Sequence, residues 1–84
     1  MIDQNYILTN VREAFKAAFE INPQVVSMET TASDISEWDS VGHLSLASNL
    51  EQVFNINLDV DELMEMETVR DIVRIIEIKL SQKA

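Results

Sequence analysis

The chain has 84 residues with one Gly, one Pro and no Cys, 46% of them hydrophobic and 25% charged. That is the size of one domain, residues 1–84, with the composition of a globule rather than a disordered chain. Without cysteine and with one histidine it has no disulfide framework, thiolate metal site or cysteine nucleophile, and its net charge of -9 argues against nucleic acid and anionic membranes as partners.

The first element is an amphipathic helix over Asp3 to Glu20, with Ile7, Leu8, Val11, Phe15, Ala18 and Phe19 on one stripe. Asp3 is suited to cap its start, and Asn22-Pro23 should end it, because the residue before a proline is pushed out of helical geometry. From Asn22 to Asp39 no helical period is sustained. A loop of that length in a small domain needs anchors, and Val25, Val26, Met28, Ile35 and Trp38 are the candidates, with Trp38 expected as a core plug.

A second helix is expected from about Ser40 to Phe54, with Val41, Leu44, Ala47, Leu50 and Phe54 on its buried stripe. Leu46 falls off that stripe and is expected to be exposed, as is His43 on the outer face, with a role beside the helix start as the alternative for His43. Asn55 is suited to leave the helix through the left-handed region. A short helix, Asp59 to Met66, carries its acids in its first turn, where the dipole favours them. The last helix starts at Thr68, with Thr68 and Asp71 in capping-box spacing and Val69, Ile72, Val73, Ile76 and Leu80 facing inward. Nothing reads as strand, so the fold class is all-α: a bundle of three long helices and one short, with a long loop between the first two.

Charge is unevenly placed. Between Lys16 and Arg70 there is no Lys or Arg, while the same stretch holds eleven carboxylates, among them Glu37, Asp39, Glu51, Asp59, Asp61 and Glu62. Such a surface serves solubility and also suits approach by basic partners. No apolar run nears the roughly 20 residues of a membrane span. With no basic targeting region at the N-terminus, a soluble, cytoplasmic and monomeric protein is expected.

Little here suits catalysis. Asp39, Ser40 and His43 are too close in sequence to aim an imidazole between a hydroxyl and a carboxylate. Asp59, Asp61 and Glu62 lack the glycine and spacing of a calcium loop, so no metal is expected there. The informative segment is Glu37-Trp38-Asp39-Ser40-Val41-Gly42-His43-Leu44. Asp-Ser at a helix start is first of all a cap. Here, however, the serine ends a long loop and stands in the opening turn of a helix, where a phosphodiester would meet the positive end of the dipole.

At these residues the chain resembles the acyl carrier protein family, over nearly its whole length: a long helix, a long loop, Asp39-Ser40-Val41 opening a second helix, a short acidic third helix, and a last helix introduced by Thr68-Val69. The resemblance implies that Ser40, flanked by Asp39 and Val41, carries a 4'-phosphopantetheine arm placed there from coenzyme A by a phosphopantetheinyl transferase. It implies a carrier rather than an enzyme. Acyl groups would ride the arm as thioesters to loading, modifying and transferring enzymes with basic docking patches. The partner face carried over from the family is Val41, Leu46, Glu51, Asp59, Asp61 and Glu62. Val41 stands where the family has leucine, Trp38 where fatty-acid carriers have a small residue, and Gly42, Ser45 and Ser48 where those are often acidic or apolar. These departures point to a specialised, non-fatty-acid carrier. The competing expectation is a helical adaptor or regulatory subunit that keeps the carrier fold and works unmodified.

Overall fold

A computed structural model describes residues 3–83, without the side chain of residue 83. Four α-helices follow one another: α1 (Gln4–Phe19), α2 (Ser40–Phe54), α3 (Val60–Glu65) and α4 (Val69–Lys83), with two short 3₁₀ turns, Pro23–Val25 and Ala32–Asp34, in the loop between α1 and α2. Among the described residues there is no strand, only an isolated bridge between Thr31 and Thr68. No helix of the described residues is long and apolar enough to cross a membrane.

Each helix begins where a short side chain satisfies its first free N–H groups. Asp3 accepts from Asn5 N–H at 2.9 Å, Asp39 from Gly42 N–H at 2.8 Å and Asp59 from Glu62 N–H at 3.0 Å. Thr68 accepts from Asp71 N–H at 3.1 Å while the Asp71 carboxylate accepts from Thr68 N–H, the reciprocal pair expected from the sequence. Asn55 closes α2 in the left-handed region at φ 54°, as its residue type favours. α1 ends three residues before Asn22-Pro23: Glu20 turns left-handed at φ 55° and its N–H returns to the Lys16 carbonyl. Ile21 packs against the core and Pro23 opens the first 3₁₀ turn, so the proline lies beyond a helix that has already stopped.

One apolar core joins the elements. Ile7, Val11, Phe15 and Phe19 of α1 meet Leu46, Leu50 and Phe54 of α2 and Val69, Ile72, Val73 and Ile76 of α4. The long loop is part of this core through Val26, Ile35 and Trp38, whereas Val25 is 58% exposed and anchors nothing. It is also tied by backbone. Val69 and Arg70 N–H, in the first turn of α4, donate to the carbonyls of Thr30 and Met28, and Ala32 N–H donates to Glu67. Arg12 Nε donates to the Val26 carbonyl at 2.7 Å from the other side.

The stripe of α2 differs from the sequence expectation. Leu46 is fully buried, and Val41 and Leu44 are 78% and 63% exposed. The helix carries apolar residues around most of its circumference, so periodicity alone does not fix its phase. Contact with α1 selects the face bearing Leu46, Ala47, Leu50 and Phe54. Leu46 therefore belongs to the core and is withdrawn from the partner face.

Candidate functional site

Ser40 occupies the first helical position of α2 and is exposed. Its hydroxyl has no hydrogen-bond partner among the described residues. Asp39 holds this turn in place, since its side chain caps Gly42 N–H and its carbonyl accepts His43 N–H at 2.7 Å. That carboxylate is engaged as a cap; the neighbouring serine is left free to project.

Gly42 allows the turn to form. A Cβ at this position would run into the backbone carbonyl oxygen of Glu37 and lie 2.9 Å from Phe19 Cε1. The segment before Ser40 thus folds back over the first turn of α2, in a space that only a residue without a side chain leaves open. On the other side Trp38 is buried at 4% exposure, edge-on to Phe15 with ring centroids 5.1 Å apart. Its expected role as a core plug is what the structure shows.

His43 departs from expectation. It is half-buried rather than exposed, and both ring nitrogens are in use. The Trp38 indole N–H donates to Nδ1 at 2.7 Å, so the ring proton sits on Nε2, which donates to the Leu63 carbonyl at 2.7 Å. The histidine thereby links the loop, α2 and α3. Its sequence neighbours gave no sign of this, because the acceptor lies 20 residues away.

Beside Ser40 a cleft of about 500 Å³ opens between the loop, α2 and the α3 end. Trp38, Leu63, Met64 and Met66 supply apolar wall, and Asp39 and Glu67 the polar mouth. No Lys or Arg lines it among the described residues. An exposed, unpaired hydroxyl at the edge of such a cleft fits a prosthetic arm, with room for it to lie along the surface or leave it. Met64, 74% exposed, and Met66, buried, both border the cleft, while Met28 packs elsewhere against the core.

The expected partner face separates into two groups. Val41, Asp59 and Asp61 are presented to solvent. Glu51 turns inward to accept Leu58 N–H at 2.9 Å, fixing the link between α2 and α3. Glu62 accepts Asp59 N–H and pairs with Lys79 at 2.9 Å, both side chains 22% exposed, and Asp59 caps α3. Leu44, one turn from Val41 on the same face of α2, is an exposed apolar residue that the sequence reading placed in the core.

Comparison with known proteins agrees with this geometry. Residues 9–76 match the family model for a phosphopantetheine attachment site. The chain is 27% identical over 82 residues to an acyl carrier protein of Coprothermobacter proteolyticus, covering 98% of this chain and all of that one. It superposes on the solution structure of a holo acyl carrier protein from Geobacter metallireducens with a TM-score of 0.81 and 32% identity, over 90% of this chain and 87% of the other. A helical bundle with an unencumbered serine at the head of its second long helix, matched along most of its length to a phosphopantetheine attachment domain, belongs to the acyl carrier protein family.

Proposed function

We propose that Ser40 is the attachment residue of this carrier and that basic partner surfaces are drawn to the acids around it. The observation that carries this reading is the Ser40 hydroxyl, exposed and unpaired in the opening turn of α2. When bound, 4'-phosphopantetheine supplies a thiol on a flexible arm, which holds an acyl group as a thioester.

The chain itself contributes placement. Asp39 caps the turn and so points Ser40 Oγ outward, where a transferase can reach it and supply the base that removes its proton. The positive end of α2 favours the phosphodiester once it forms. Glu37 and Asp61, both exposed, leave negative charge on the approaches, and Val41 and Leu44 offer a small apolar contact. Contacts of this kind steer encounter and release quickly, as a carrier visiting several enzymes requires.

Intact-protein mass spectrometry after treatment with a promiscuous phosphopantetheinyl transferase and coenzyme A tests the first part. Wild type should gain one phosphopantetheinyl group and Ser40→Ala none, with unchanged thermal stability. A wild type that gains nothing, or a Ser40→Ala that gains the same mass, refutes the assignment. For the second part, joint reversal of Glu37 and Asp61 to Lys should slow modification about tenfold at low salt. The difference should shrink as ionic strength rises and the Debye length falls below about 10 Å. Equal rates for both proteins at low salt would contradict steering by these acids.

A further inference from the structure

Both residues that precede Ser40 are held by His43. The Trp38 indole N–H donates to His43 Nδ1 at 2.7 Å, and the Asp39 carbonyl accepts the His43 backbone N–H, also at 2.7 Å. On its far side the ring is braced against α3, where Nε2 donates to the Leu63 carbonyl. The ring also lies nearly parallel to the indole, with 18° between the planes and centroids 6.1 Å apart. The chain has no other histidine and no other tryptophan.

We propose that neutral His43 is a positioning residue for modification of Ser40: its ring accepts the Trp38 indole N–H and keeps the loop end and the opening turn of α2 as a transferase meets them, and protonation of the ring releases them. The proposal rests on Ser40 as the attachment residue. A neutral imidazole accepts at one nitrogen and donates at the other, whereas a charged one donates at both. With Nε2 committed to the Leu63 carbonyl, the added proton goes to Nδ1 and faces the indole N–H, and turning the ring over restores no acceptor. The buried indole is then a donor without a partner, a costly state that favours movement of the loop end. Histidine exchanges this proton between about pH 8 and about pH 5. The other charged side chains that line the cleft with His43 are Asp39 from the loop and Glu67 from the link between α3 and α4; α2 and α3 add none there. The Asp39 carboxylate is held by Gly42 N–H and Glu67 stands exposed at the mouth, so neither is placed to take over the indole. Acidification also weakens the self-repulsion of a chain with net charge -9, which tightens the fold. Release by His43 runs against that general trend.

The test follows modification of the full chain by a promiscuous transferase with coenzyme A, read by intact mass, for wild type and His43→Gln at about pH 8 and about pH 5.5. Glutamine can accept from the indole and donate to the carbonyl without taking up a proton, and comparing the two proteins at each pH cancels the transferase's own pH dependence. At the higher pH their KM values should agree. At the lower, the wild-type KM should be about fivefold above that of His43→Gln with kcat unchanged, the weight of about one net hydrogen bond needed to re-order the turn. His43→Ala should show the raised KM at both. The Trp38 indole N–H proton resonance, the only one in the chain, should move upfield in wild type over the same range and stay in place in His43→Gln. A KM ratio between wild type and His43→Gln that is the same at both pH values overturns the proposal. So does a wild-type indole resonance that stays put while the ring protons of His43 titrate, or a His43→Ala protein with wild-type KM at the higher pH. A wild type that gains no mass at either pH overturns the assignment of Ser40 and this role with it, whereas full modification with a pH-independent ratio overturns this role alone.

Discussion

Alanine in place of Gly42 should destabilise the protein by about 3 kcal/mol, the upper end of what overpacking a tight site costs. For a domain of this size that lowers Tm by about 15 °C. Helix propensity predicts the opposite sign, since alanine is favoured over glycine inside a helix by about 1 kcal/mol. The geometry decides: the new methyl would collide with the Glu37 carbonyl, which is backbone, and press on Phe19. To make room, the segment Glu37–Asp39 must move off the first turn of α2, taking the Asp39 cap with it. Modification at Ser40 should slow along with the loss of stability. Thermal denaturation followed by far-UV circular dichroism checks this, and an unchanged or raised Tm would show that the loop yields without cost.

Trp38→Ala should cost about 3–5 kcal/mol, as removal of a buried aromatic typically does. A domain of this size has a total stability of about 4–13 kcal/mol, so the variant should be close to unfolding or partly unfolded at room temperature. The side chain closes the core beneath the loop, meets Phe15 edge-on at 5.1 Å and donates to His43. Trp38→Phe separates these roles. It keeps an aromatic ring against Phe15 and loses the donor, so it should cost only about 1–2 kcal/mol, the cost of a hydrogen bond left half made. Urea titration of both variants reads the difference; equal losses in the two would show that packing against Phe15 contributes little.

The architecture was legible because its helices announce their ends. Asp3, Asp39 and Thr68 cap, Asn55 turns left-handed, and the span Ser40–Phe54 follows from these together with periodicity. Ser40 itself was legible because its exposure depends on local features: a cap before it and a loop leading to it. The stripe of α2 was not, since Val41, Leu44, Leu46, Ala47, Leu50 and Val53 present apolar surface on several sides, and only the position of α1 selects among them. His43 was illegible for a related reason. Its environment is made by a carbonyl from α3 and an indole from the loop, neither of which a helical pattern reveals. Glu51 and Glu62 illustrate the same limit: their carboxylates read as surface charge in the sequence, and they serve backbone N–H groups in the fold. What a residue does was readable where its partners are its neighbours in the chain, and hidden where tertiary packing supplies them.

The chain has seven serines, at positions 27, 33, 36, 40, 45, 48 and 81, and the carrier reading gives the prosthetic arm to one of them. Peptide fragmentation mass spectrometry of the modified protein decides among them directly. The phosphopantetheinyl mass should appear only on fragments that contain Ser40. Its appearance on Ser36 or Ser45, or on several serines at once, would contradict the account.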